Sequence, residues 1–433
     1  MEFLARGARE FNEPGLFFSF DESPGSVIEN CRSFGFDIEE LVKTKKLKIS
    51  FVQISRSEVL QSGAFSLDAL KLRIRHAIDE IAAKRLALDT VESIFSALDN
   101  NAHLRAEMAG LFDWLREQLV TSVVTGERGK DQLTRDGLQE YVSDCIILLD
   151  QRVTEQATKR RLRVVKYRGS AHAGDEFPFL IGPHGISVLP ITSVNLNYRV
   201  SDERLSTGVA DLDEMLGGAG YFKGTSVLVT GMAGTGKSSL AAAFALASCQ
   251  REKPCLYFSF EESPAQILRN MKSIGIDLAP GVETGLMKIS SFRPTFRGLE
   301  AHLAWLIRET ELFHPECAVM DPISNFIAGG DVLEIKSMLT RVLDFLKRRG
   351  VTLLMTALIP GSGTPDETEL SVSSMVDTWL ALQTKRAGRW RRREITIIKS
   401  RGMEHWQGSR EMILSAGGIA MPVNGMESVS ETG

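Results

Sequence analysis

The stretch Ser226-Val227-Leu228-Val229-Thr230-Gly231-Met232-Ala233-Gly234-Thr235-Gly236-Lys237-Ser238-Ser239 decides the reading of this chain. Its first residues form an apolar run of strand length, and the pattern from Ser239 to Ala247 predicts a helix. Between them, Gly231 to Ser238 fits GxxxxGK[ST], a motif that is specific when a strand precedes it and a helix follows. Gly231, Gly234 and Gly236 let backbone N–H groups close around phosphates, with the helix N-terminus adding its field. Lys237 supplies a positive charge to the β- and γ-phosphates of ATP, and Ser238 is a candidate ligand for Mg²⁺. Thr235 and Ser239 complete the nucleotide-binding loop. The competing interpretation, a glycine-rich turn that binds nothing, would leave Lys237 at a helix N-terminus without a partner.

Two acidic positions follow predicted strands further on. Asp321 ends the apolar run Ala318-Val319-Met320, where an aspartate can hold Mg²⁺ or its water shell; alternatively it caps the turn that Pro322 makes. Glu261 and Glu262 follow Leu256-Tyr257-Phe258-Ser259-Phe260. Being adjacent, they point opposite ways, so only one can fully face a γ-phosphate and orient a water or hydroxyl. A solvated acidic pair is the alternative. Near the end, Lys399 and Arg401 are expected on one face of a strand that Gly402 terminates. They could reach the γ-phosphate of a neighbouring subunit, or simply form a solvated basic edge.

Residues 17–24, Phe-Phe-Ser-Phe-Asp-Glu-Ser-Pro, recur as Tyr-Phe-Ser-Phe-Glu-Glu-Ser-Pro at 257–264, an offset of 240 residues. Asn30, Ser33, Gly35 and Asp37 match Asn270, Ser273, Gly275 and Asp277; Asp89 matches Asp321, and Lys166-Tyr167-Arg168-Gly169 matches Lys399-Ser400-Arg401-Gly402. The chain is therefore expected to carry two tandem copies of one domain, 1–190 and 205–423, with a short tail at 424–433. Strand runs alternating with helical segments such as Leu299 to Thr310 and Val332 to Arg349 predict an α/β fold with mostly parallel central sheets. Ligands then bind at the carboxyl ends of the strands. By the offset, the phosphate loop of the first copy falls before residue 1. The first copy is expected to lack that strand and loop, and Met1 to Arg9 to be the helix that follows them.

The bulk composition narrows the class. With 433 residues, 43% hydrophobic and 24% charged, the chain is long enough for two or three globular domains, and no apolar run is long enough to cross a bilayer. The start carries no secretory pattern, so a cytoplasmic protein is expected. Five scattered cysteines without CxxC spacing argue against a zinc site or a disulfide framework and are expected reduced and buried. A net charge of −4 exerts no global pull on nucleic acid. Only the run from Lys385 to Arg393 could support a DNA-binding reading, and a polar hairpin turn explains it as well.

Taken together, these segments resemble the KaiC circadian clock family, double-domain members of the RecA superfamily. The shared pieces are Phe-Glu-Glu-Ser-Pro, Asn-x-x-Ser-x-Gly-x-Asp, Leu-Asp-Glu-Met followed by Gly-Gly, and Lys-x-Arg-Gly. The resemblance implies two tandem RecA-like P-loop NTPase domains in a homohexameric ATPase and serine/threonine autokinase. ATP would lie between subunits, with Lys237, Ser238, Glu261, Glu262 and Asp321 from one and Lys399 and Arg401 from the next. It also implies phosphoacceptors at Ser373 and Ser374, just before Asp377-Thr378, with Thr368 at another hydroxyl position. A KaiB-like regulator would fit; the tail is shorter than that with which family members bind KaiA, so KaiA is not expected as a partner. Neither a membrane nor nucleic acid is expected. Two other functions share the motifs: a RecA-like ATP-dependent DNA-binding protein, and an ATP-gated scaffold without kinase activity.

Overall fold

The structure is a computed structural model that describes residues 1–52, 67–90, 101–127, 142–154, 157–182, 185–188, 200–294, 298–329, 332–359, 374–387 and 390–422. Its chain divides into two compact units, Met1–Arg152 with Lys159–Leu189, and Val153–Thr158 with Pro190–Gly433. Both are α/β, as expected, with mainly parallel sheets flanked by helices.

In the second unit one eight-stranded sheet runs in the order Met287–Ser291, Cys255–Ser259, Cys317–Asp321, Thr352–Leu358, Ser226–Gly231, Thr378–Ala387, Trp390–Ser400, Ser409–Glu411. The first six are parallel and the last two pairings antiparallel. Strands Ser226–Gly231, Cys255–Ser259 and Cys317–Asp321 are buried at every position, which is why they read as unbroken apolar runs rather than as alternating ones. The helix that follows the glycine loop, Lys237–Gln250, is buried nearly all round. Its Leu240 and Phe244 belong to the same core as Val227, Val229, Tyr257, Val319 and Leu380 of the sheet.

The first unit repeats the outer half of this sheet in parallel order: Leu47–Phe51, Gly15–Ser19, Arg85–Asp89, Thr121–Val124. The registers coincide. Gly15 faces Leu47 and Arg85 as Cys255 faces Met287 and Cys317, and Arg85 faces Thr121 as Cys317 faces Thr352. The helix Glu2–Glu10 packs Leu4, Ala5 and Ala8 beside Phe17 and Leu47. A separate sheet holds Cys145–Thr154, Ala157–Tyr167, Glu176–Gly182 and Gly185–Val188. In the second unit the phosphate-loop strand joins the corresponding two halves, because Ser226–Gly231 pairs with both Thr352–Leu358 and Thr378–Ala387.

Two expectations need correcting. Four cysteines are buried but Cys145 is exposed, because it opens a strand whose following Ile147 and Leu149 are also more than half exposed. And the Lys399 strand ends at Ser400, so Arg401 starts a turn instead of sharing the strand face. The irregular pairing near Trp379 and Leu380 shifts the register beside that end.

Candidate nucleotide site

The phosphate loop turns tightly because Gly234 and Gly236 hold φ of 77° and 103°, in the left-handed region that glycine occupies without strain. At Gly236 a Cβ would lie 2.7 Å from the Met412 methyl, so this position also needs glycine for space. Gly236 caps the helix Lys237–Gln250 and so sets the helix N-terminus behind the loop. Lys237 is buried and its Nζ donates to the carbonyls of Gly231 at 2.9 Å and Met232 at 2.8 Å. Burial lowers its pKa, while the carboxylates of Asp321 and Glu261 oppose that shift. Thr235 Oγ1 donates to the Met232 carbonyl at 2.9 Å, and Ser238 is half-buried one residue into the helix.

Asp321 closes its strand at the same carboxyl edge. It is buried, and both of its oxygens receive hydroxyl donors: Tyr257 Oη at 2.6 Å and Thr356 Oγ1. Burial and the neighbouring Asp321 charge push the Tyr257 phenol far up, so it remains a donor. The Asp321 backbone carbonyl accepts from the Phe260 N–H at 2.8 Å, which ties this edge to the Glu261-Glu262 strand end.

The two glutamates separate by local turn chemistry. Ser259 Oγ accepts the Glu262 N–H at 3.1 Å and donates to its carbonyl at 2.7 Å. Ser263 then caps the helix Pro264–Lys272 in a capping box with Gln266, with Pro264 opening the helix. That places Asn270 where its Nδ2 donates to Glu262 Oε1 at 3.2 Å. Glu261 is exposed and contributes to the field on Lys237. The residue that shares the charge environment of the phosphate loop is therefore Glu261, while Glu262 is held by Asn270.

Lys399 and Arg401 lie elsewhere. The loop emerges after Gly231, at one end of its strand, whereas Asp377 N–H bonds the carbonyl of Ser226 at the other end. The Arg401 N–H in turn donates to the Asp377 carbonyl at 2.9 Å. Five residues of strand at about 3.3 Å each put roughly 16 Å between the two ends. The same end holds Ser374, which is exposed and whose carbonyl accepts from the Arg401 guanidinium at 2.9 Å. Ser373 and Thr368 lie outside the described residues. Asp377 anchors this end, accepting from Lys347 Nζ at 2.6 Å, Ser226 N–H at 2.8 Å and Ser226 Oγ at 2.7 Å. Burial, and after it the neighbouring Arg401 charge, lower the pKa of Lys399.

The basic run from Lys385 forms the two arms of a hairpin, Thr378–Ala387 and Trp390–Ser400. Several of its cations are committed inside the unit: Lys385 pairs with Glu394 at 2.6 Å, Arg392 lies 3.7 Å from Glu411, and Arg393 donates to the carbonyl of Gly234 at 3.3 Å.

The family described as "ATPase: KaiC" matches residues 1–193 and again residues 205–424. The chain belongs to the KaiC family of ATPases. It is a nucleotide-binding protein with tandem KaiC domains. Over 421 residues it is 48% identical to a protein named circadian clock protein KaiC2 from Synechocystis sp., covering 97% of this chain and 74% of that one. Over 418 residues it is 34% identical to the circadian clock oscillator protein KaiC of Synechococcus elongatus, covering 96% of this chain and 80% of that one. A further relative, the circadian clock oscillator protein KaiC of Parathermosynechococcus lividus, is 35% identical over 422 residues, with coverage of 97% and 78%.

The KaiC repeat carries its side-chain contacts along with its strands. In the first unit Asn30 Nδ2 holds Glu22 at 3.1 Å, and Thr125 Oγ1 donates to Asp89 at 2.5 Å. Arg168 N–H donates to the Asp144 carbonyl at 2.8 Å, as Arg401 does to Asp377. Arg116 bonds the Asp144 carboxylate as Lys347 bonds that of Asp377. Sequence reasoning missed Tyr257, Thr356, Asn270, Lys347 and the anchoring role of Asp377. Among them, Asn270 left a signal, since it recurs as Asn30 in the repeat.

Proposed function

We propose that the chain is an ATP hydrolase and serine/threonine autokinase, working as a cytoplasmic homohexamer in a circadian or related signalling role. The observation that carries this reading is the separation along one strand. The phosphate loop leaves the Gly231 end, while Lys399, Arg401 and Ser374 gather at the Ser226 end, about 16 Å away. Residues so placed cannot serve their own nucleotide, but a ring of subunits brings one end of a protomer to the other end of its neighbour.

In this reading Gly231, Gly234, Thr235, Gly236, Lys237, Ser238 and Ser239 hold the phosphates of ATP. The donor set at the strand edge, a serine hydroxyl and a buried carboxylate, is the hard oxygen chemistry that suits Mg²⁺. Ser238 and Asp321 would hold it or its water, and the metal would supply neutralisation of charge on the phosphate oxygens. Glu261 accepts the proton of the attacking water or serine, and Glu262 keeps the turn in place through Asn270. Lys399 and Arg401 of the neighbour stabilise charge on the transferred phosphoryl group. The bond between phosphorus and the β,γ-bridging oxygen breaks, and a bond from water or from the Ser373 or Ser374 hydroxyl forms, leaving ADP. A KaiB-like protein is a fitting regulator.

Incubating the purified chain with Mg-ATP and mapping phosphate by mass spectrometry tests this. Label is expected at Ser373 or Ser374 and is expected to vanish in Lys237→Ala. Absence of phosphate at both serines in the parent chain would sink the kinase reading.

A further inference from the structure

The two copies of the domain share one feature around the strand-ending aspartate and differ in another. Asp89 and Asp321 occupy the same register beside Gly15–Ser19 and Cys255–Ser259. Each accepts a hydroxyl from the strand beyond, Thr125 in one and Thr356 in the other, at positions that the pairings of Thr121 and Thr352 make equivalent. The second hydroxyl differs between the copies. Position 17 is Phe and its counterpart is Tyr257, whose Oη lies 2.6 Å from the remaining oxygen of Asp321. The strand thus accepts a phenyl or a phenol at the same place.

A phenol that merely filled core volume would be costly there. Tyr257 is 1% exposed, and a hydroxyl moved from water into an apolar interior without a partner is unfavourable. The carboxylate supplies that partner, and the contact also restricts the carboxylate. With Tyr257 on one oxygen and Thr356 on the other, rotation about the Asp321 side chain would break two charge-assisted hydrogen bonds. Each oxygen retains a lone pair for a water or cation at the strand edge.

We propose that Tyr257 is a positioning residue for Asp321, fixing with Thr356 the orientation in which that carboxylate meets the metal of a bound Mg-nucleotide. This rests on the reading of Asp321 given above. The two copies differ at this place: with Phe17 in place of a phenol, Asp89 has among the described residues the Thr125 hydroxyl, whereas Asp321 has both Thr356 and Tyr257.

The test uses the full chain and a fluorescent ADP analogue, with affinity read first in EDTA and then across a Mg²⁺ titration. Tyr257→Phe is expected to leave affinity without metal unchanged and to raise the Mg²⁺ concentration for half-maximal tightening by roughly tenfold, the scale of one hydrogen bond to a charged group. Thr356→Val should shift the midpoint in the same direction, and Thr356→Ser, which keeps the hydroxyl, should restore it. A structural role alone would lower the melting temperature without moving the midpoint, and that result overturns the assignment, as does a midpoint that stays or falls in Tyr257→Phe. If the parent chain binds the analogue with no response to Mg²⁺, the metal reading of Asp321 fails and the assignment fails with it.

Discussion

The Arg401 guanidinium donates to the backbone carbonyl of Ser374 at 2.9 Å, so one proposed transition-state cation and one proposed phosphoacceptor are held together at the same end of the central sheet. Arg401 also approaches the Asp377 carboxylate, and its own N–H is bonded to the Asp377 carbonyl. The Arg401 side chain is still more than half exposed with these contacts made.

Replacing Arg401 by Ala should therefore remove charge stabilisation from a neighbour's nucleotide and leave the phosphate loop untouched. Hydrolysis is expected to fall on the order of 10³-fold, the lower range for cations of this kind, with fluorescent-nucleotide affinity changed by far less. Steady-state turnover measured beside equilibrium binding checks the split. Equal losses in both would place Arg401 in ground-state binding.

The two adjacent glutamates should behave differently. Glu261→Gln is expected to lower kcat by about 10²-fold or more, as the loss of a general base does, with little change in stability. Glu262→Gln keeps an acceptor for Asn270 and should cost much less activity. Parallel kcat and thermal-melt measurements on the two variants decide between them, and the reverse ranking would exchange their roles.

The base of the phosphate-loop strand carries a pH-sensitive anchor. Burial pushes the Asp377 carboxyl up, but the hydrogen bond and charge of Lys347, with the Ser226 donors, hold it below the ordinary aspartate value of 3.8. A folded-state pKa below the unfolded one gives stability that is present above pH 3.8 and is lost as pH falls through the lower folded value. Lys347→Met should flatten that acid limb in a melting-temperature series across pH, and an unchanged acid limb would show that the pair contributes nothing there.

Much of the candidate site's placement was legible from the chain. A glycine loop between a strand and a helix is a local pattern, and so are Glu261-Glu262 and Asp321 at the ends of apolar runs. The repeat was legible because its landmarks keep their order, and the registers of Gly15 and Cys255 show that they keep their partners too. Contacts between distant strands were not. Tyr257 reads as one more large residue in a buried strand, and its bond to Asp321 spans 64 positions. Thr356 sits in a run, Leu353 to Leu358, whose pattern declares only burial. The placement of Lys399 and Arg401 was hidden for a related reason: a spacing of two residues says that the cations are close, but only the pairing of Asp377 with Ser226 says at which end of the sheet they stand.

The central claim, that phosphate passes between protomers, is met most directly by mixing two variants. One is Lys237→Ala with both serines intact; the other keeps its phosphate loop but carries Ser373→Ala and Ser374→Ala. Neither should label itself when incubated alone with Mg-ATP. Mixed under conditions that exchange subunits, phosphate should appear on the Lys237→Ala chain, identified by its mass. Label on neither chain after proven subunit exchange, with the parent chain labelling normally, would contradict transfer from one protomer to the next.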